Sequence, residues 1–232
     1  MQTTTSTIVF DVNETLSDMS SMAQHFAEVG APESAAGLWF ASVLRDGFAQ
    51  AVAGSNVPFA IVARETLAAV FAGEHLNRSI EEAVDHILKR FQELPVHPDV
   101  PGAVEALAQQ GLRLVALTNG AAQTAETLLA NAGIREHFSA VLSVQEAPLW
   151  KPAPQAYHYA AEACSAAPES MLLTAVHPWD IDGAARAGLR TAWLNRRGNP
   201  YPVYARTPSL TVSSLAELAE LSAERFQGGR AG

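Results

Sequence analysis

An aspartate at position 11 stands at the end of the first apolar run of the chain, Ile8–Val12. An ionised carboxylate at a strand end can attack carbon or phosphorus and form a covalent intermediate. The same residue can also cap a helix or bond within a loop, so its neighbours in the fold must decide. Three further polar groups follow later apolar runs: Thr118-Asn119-Gly120, then Lys151, then His177-Pro178-Trp179-Asp180. In open parallel sheets, ligands bind outside the carboxyl ends of the strands, which makes these the positions to inspect. Lys151 stands out as one of only two lysines. The remaining histidines, His25, His75, His86, His97, His137 and His158, show no metal-ligand spacing, and neither a metal nor a cofactor is expected.

The bulk composition excludes several functions. The formal net charge of -9 argues against nucleic acid or an anionic membrane surface as a partner, since both need a basic face. A small anionic ligand remains compatible, provided that local cations or backbone N–H groups receive it. The lone cysteine, Cys164, allows no intramolecular disulfide and fits a reducing compartment. The polar start at 1–7 and the short apolar run after it give neither a signal peptide nor a membrane span, so the expected location is the cytoplasm.

The elements that must position these groups alternate. Strand-like runs at Ile8–Val12, Leu112–Thr118, Ala140–Val144, Met171–Val176 and Thr191–Leu194 are separated, after the second, by helical apolar periodicity. Such alternation predicts an α/β fold, a Rossmann-like parallel sheet with right-handed crossovers. About 100 residues without a convincing strand separate the first two runs, with helical patterns at Ser21–Val29, Ala35–Ala53, Ile61–Ala72 and Ile80–Phe91. That stretch reads as an inserted helical cap over 16–95, on a core of 1–15 and 96–232. The prolines and glycine of Leu94–Gly102 should break any helix and provide a hinge before Ala103–Gln110. A serine-capped amphipathic helix is expected at Ser213–Ala223, with fraying over 227–232.

With this order in view, Phe10-Asp11-Val12-Asn13-Glu14-Thr15-Leu16 resembles the first motif of the haloacid dehalogenase superfamily. Leu117-Thr118-Asn119-Gly120, Lys151-Pro152 and Trp179-Asp180 resemble its second, third and fourth. The pattern is most similar to that of the L-2-haloacid dehalogenases, falling on Asp11, Thr15, Thr118, Asn119, Lys151, Tyr157 and Trp179-Asp180. The resemblance implies Asp11 as nucleophile, Lys151 holding it ionised, and Asp180 activating the water that hydrolyses the aspartyl ester. It implies Thr15 and Thr118 as carboxylate binders, Asn119 as a substrate contact, Tyr157 as a support of the lysine or carboxylates, and Trp179 as a pocket wall. The implied substrate is a small anionic 2-haloacid, with no cofactor. A homodimer is compatible with the family.

Two departures matter. Phosphatases of the superfamily carry a second aspartate two positions after the nucleophile, as general acid and metal ligand. Here that residue is Asn13, which cannot act as an acid, while a halide leaves without protonation. Dehalogenation is therefore preferred over an Mg²⁺-dependent phosphatase or a silent binding module. The family also places an arginine after a cap tryptophan to receive the halide, but Trp39 is followed by Phe40. Arg45 lies about 140° around an ideal helix from Phe40, and is kept as a candidate partner of halide or carboxylate. His177 is a candidate for assisting the hydrolytic water or the departing halide.

Overall fold

The structure, a computed structural model, describes residues 6–228. Its centre is a six-stranded sheet, all pairs parallel, in the order β3-β2-β1-β4-β5-β6. The strands are β1 (Thr7–Phe10), β2 (Arg113–Thr118), β3 (Phe138–Ser143), β4 (Met171–Ala175), β5 (Arg190–Leu194) and β6 (Leu210–Val212). Both faces are covered, which is why the strands read as near-continuous apolar runs rather than alternating ones. Ile8, Phe10, Leu114, Ala116, Leu172 and Ala192 point to one face, packed with α5 (Val100–Gln109), α6 (Ala122–Asn131) and α9 (Leu215–Gly228). Val9, Val115, Leu117, Leu173, Ala175 and Trp193 point to the other, which meets α7 (Pro154–Ala163) and α8 (Pro178–Arg186) and continues into the inserted helices.

The insertion comprises α1 (Met22–Glu28), α2 (Ala35–Val52), α3 (Phe59–Phe71) and α4 (Ile80–Gln92). The start of α4 is fixed by a reciprocal capping box, in which Ser79 Oγ accepts from the Glu82 N–H and the Glu82 carboxylate accepts from the Ser79 N–H. Rings fill the middle: Trp39 lies 5.5 Å from Phe91 and 5.9 Å from Phe26, and Phe59 stacks on both Phe91 and Trp150. The outgoing and returning chains pair where they cross. Ser17 bridges Val96, the Asp18 N–H donates to Pro95 O, and the His97 N–H donates to Leu16 O.

Three expectations about elements need adjustment. β6 lacks a sequence signal because it is three residues long and follows an irregular segment. Helix α5 begins at Val100 rather than Ala103, because a proline in the first turn has no N–H to lose and its fixed φ suits a helix start. Helix α9 starts at Leu215, with Ser214 Oγ accepting from the Glu217 N–H, and runs to Gly228; the rest of the expected fray, 229–232, lies outside the described residues.

Candidate active site

β1 lies at the middle of the sheet, where the chain's neighbours switch from β2 and β3 on one side to β4 to β6 on the other. The loops after β1 and β4 therefore face a common crevice. The backbone after β1 turns sharply: Glu14 adopts a φ of 63°, and Val12 O accepts from the N–H groups of both Leu16 and Ser17. A non-glycine residue in this left-handed region carries strain that the surrounding contacts must hold, as is frequent beside functional groups.

The turn leaves Asp11 only 4% exposed, facing Lys151, which is fully buried. Lys151 Nζ lies 2.7 Å from Asp11 Oδ1 and 2.7 Å from Asp180 Oδ2, so one ammonium joins the two carboxylates. Thr15 Oγ1 donates to the other oxygen of Asp11 at 2.6 Å and accepts from the Val176 N–H, tying β1's turn to the end of β4. The Tyr157 hydroxyl donates to Asp180 Oδ1 at 2.7 Å. Lys151 is presented by Asn119, whose side-chain oxygen accepts from the Lys151 N–H and whose amide donates to Lys151 O. The Lys151–Pro152 peptide is cis. Gly183, one turn along α8 from Asp180, permits this packing: a Cβ there would lie 2.6 Å from Pro152 Cβ and 2.7 Å from the Tyr157 hydroxyl.

These partners separate two chemically identical carboxyls. Burial by itself pushes Asp11 up, but the Lys151 charge, His177 and hydrogen bonds from Lys151 and Thr15 outweigh it, and the group is held below its ordinary range. In Asp180 burial dominates and the nearby Asp11 charge adds to it; Lys151 and Tyr157 offset only part, leaving its pKa raised. Burial disfavours the Lys151 ammonium, yet two adjacent carboxylates overcome that and raise its pKa. Tyr157 is pushed well above the usual phenol value by burial and then by Asp180, so its hydroxyl is a donor.

The remaining candidates divide. His177 is the N-cap of α8; its Nε2 lies 3.8 Å from Asp11 Oδ2 and 3.2 Å from Asn13 O. Its ring stacks on Trp179 at 5.0 Å and approaches Phe40 at 6.4 Å, bringing a cap side chain to the core loop. Trp179 also meets Phe48 at 4.9 Å, with Lys151 Nζ 5.9 Å from its ring centre. Trp39 is not at this site: it is wholly buried in the cap and its Nε1–H donates to Ala63 O. Nor is Arg45, whose side chain is 69% exposed and paired with Asp46 at 2.7 Å, because its helix phase points it to solvent. The hydroxyl proton of Thr15 is committed to Asp11 and both ends of the Asn119 amide are engaged by the Lys151 backbone, so these two hold Asp11 and Lys151 in place rather than open onto ligand. Thr118 Oγ1 accepts from the Gly120 N–H, which leaves its own proton to donate.

Two cavities open near the ends of β1 and β4, and Asp11 is not among the residues that line either. One, of about 60 Å³, is lined by Val12, Asn13, Thr118 and Gly120 from strand-end loops and by Phe59 and Phe91 from the cap. The other, of about 400 Å³, opens beside Glu14, His177, His97 and Arg196. Sequence reading also missed a grouping within the cap: His25 and Glu28 of α1 meet His86 of α4, far along the chain, where the two helices pack.

A parallel sheet with an aspartate after its central strand, a buried lysine bridging to a second aspartate, and a helical insertion between β1 and β2 is the arrangement of a hydrolase with an α/β core. A family model of haloacid dehalogenase-like hydrolases matches residues 5–188, and the chain belongs to that family. It is similar to a haloacetate dehalogenase of Moraxella sp. (strain B), with 29% identity over 93% of this chain and 97% of that protein. It is equally similar to an (S)-2-haloacid dehalogenase of Pseudomonas sp. (strain CBS-3), at 29% over 92% and 94%. Among solved structures, the L-2-haloacid dehalogenase from Xanthobacter autotrophicus with chloropropionic acid covalently bound superposes with a TM-score of 0.86 at 25% identity, covering 94% of this chain and 98% of that one.

Proposed function

We propose that this chain hydrolyses short 2-haloalkanoic acids to 2-hydroxy acids through a covalent ester on Asp11. The observation that carries the reading is the buried Asp11–Lys151–Asp180 array with an amide, Asn13, where an acid would have to stand for phosphate ester cleavage. Attack of an Asp11 oxygen on C2 forms the carbon–oxygen bond as the carbon–halogen electron pair leaves with the halide. Asp180 then takes a proton from water, whose oxygen attacks the Asp11 carbonyl carbon. Collapse of the tetrahedral intermediate breaks the acyl–oxygen bond, Asp180 returns its proton to the departing alkoxide to give the 2-hydroxy acid, and the second water proton passes to solvent as the Asp11 carboxylate is restored. Thr118, with a free proton, and His177 receive the small anionic substrate beside Asp11.

The donor set is a poor match for Mg²⁺, which favours several oxygen ligands in an octahedron. The Lys151 ammonium already fills the space between the two carboxylates, and both oxygens of Asp11 are engaged. Metal independence is thus part of the proposal. So is the division into a core of 1–15 with 96–232 and a cap of 16–95, which the paired crossing at Ser17 and Val96 supports. Among the described residues no helix is long and apolar enough to cross a membrane.

Halide release from chloroacetate, fluoroacetate and each 2-chloropropionate enantiomer, with and without chelator, tests the reading. Release that survives chelation, inverts the chiral carbon and falls by roughly 10⁴-fold or more in Asp11→Asn is expected. Retention of configuration, or turnover of phosphate esters that chelator abolishes, overturns it.

A further inference from the structure

Helices α1 and α4 bound the cap in sequence: α1 follows the outgoing crossing, and α4 precedes the return at Leu94–Val96. They pack against each other in the fold. At their contact Glu28 Oε2 lies 3.2 Å from His25 Nδ1 and 2.9 Å from His86 Nε2, and all three atoms are within 4.8 Å of one another. The three side chains are half-buried, so solvent reaches the group from one side. The Arg78 guanidinium donates to the Glu28 backbone carbonyl at 2.9 Å rather than to its carboxylate.

We propose that His25, Glu28 and His86 form a site for a divalent transition metal of the zinc class, which joins the two ends of the cap. Donors about 2.0–2.1 Å from a tetrahedral ion are about 3.3–3.4 Å apart, so the two observed separations need changes of only tenths of an ångström. Two imidazoles with one carboxylate select zinc-like ions over Mg²⁺ and Ca²⁺, which take mainly oxygen donors. His25 and Glu28 are three residues apart on one helix face, while His86 comes from 58 residues further along the chain. The ion therefore closes a long loop, and its fourth position is left to water. The site is independent of the reaction proposed for Asp11 and requires no change at that centre.

The test uses the full chain without an affinity tag, stripped of metal and then dialysed against zinc. One zinc should be retained per chain. Cobalt in its place should give the visible absorption of a four-coordinate ion. At about a hundred times the dissociation constant, zinc should raise Tm by roughly 5–10 °C. Glu28→Gln, which preserves shape, and His86→Ala should each weaken binding by more than the roughly 10–100-fold typical of losing an outer-sphere partner. His177→Ala, beside Asp11, and His137→Ala, in the core, should retain the metal, while circular dichroism verifies that every variant is folded. Absence of retained zinc in the parent protein overturns the proposal. So does zinc binding that survives Glu28→Gln and His86→Ala, or that disappears with His177→Ala.

Discussion

Replacing Lys151 by methionine keeps the length of the side chain and removes the one cation that, among the described residues, contacts both site carboxylates. The ammonium lies 2.7 Å from an oxygen of each, so those oxygens are separated by about 5.4 Å at most. At an effective dielectric of about 20, two negative charges at that distance repel by about 3 kcal/mol before any extra burial penalty. Removing one partner of a buried ion pair typically destabilises by about 3–5 kcal/mol, which for a chain of this size lowers Tm by roughly 6–20 °C. The loss should depend on pH. In the variant the folded-state pKa values of Asp11 and Asp180 lie above their unfolded values, so folding is least penalised below the unfolded values and stability falls as pH rises through the folded ones. Urea titrations of both proteins at about pH 4.5 and pH 8 should therefore show the larger difference at pH 8, where halide release should also be lost. A difference under about 1 kcal/mol at pH 8, or one equally large at about pH 4.5, would refute this account of the buried triad.

Tyr157→Phe removes a donor from Asp180 Oδ1 in a fully buried setting and should lower stability by about 1.5–3 kcal/mol. Because that bond favours the ionised form, its loss raises the Asp180 pKa, and the acid limb of ester hydrolysis should move to higher pH in single-turnover measurements. Arg45→Ala should leave Tm unchanged and kcat/KM for chloroacetate within about two-fold, since the side chain is exposed and pairs only with its neighbour Asp46. A larger drop would mean that the cap moves far enough to bring Arg45 inside.

Much of the core was legible because its physics is local. Four of the six strands, β1, β2, β4 and β5, are apolar runs buried on both faces, β3 is a half-buried apolar run at the sheet edge, and the polar residues that follow these strands could be found by position alone. What escaped depends on partners distant in sequence. Thr15 and Asn119 are substrate binders by motif, and only the folded chain reveals that Asp11, Val176 and the Lys151 backbone already occupy them. The cap was harder still. Trp39 and Phe40 are adjacent aromatic residues in an apolar helix, and the sequence pattern does not say which lies in the cap core and which reaches His177. His25 and His86 appeared scattered because α2, α3 and their loops intervene before α4 brings them together.

The two carboxyls at the centre are assigned opposite tasks by their surroundings, and the proposed reaction uses that difference in sequence. Asp11 has donors at both oxygens and a lowered pKa, so it begins as the anion that attacks. Its negative charge is one cause of the raised pKa of Asp180. Forming the ester removes that charge, and Lys151 then faces a single carboxylate. By the same electrostatics that raised it, the Asp180 pKa must fall at that moment, so the base is ionised in the intermediate that needs it. The hydrogen bond from Tyr157, whose own proton is firmly held, keeps Asp180 oriented meanwhile. A lysine fixed through its backbone by Asn119 can serve both steps without moving, because the charge redistributes around it.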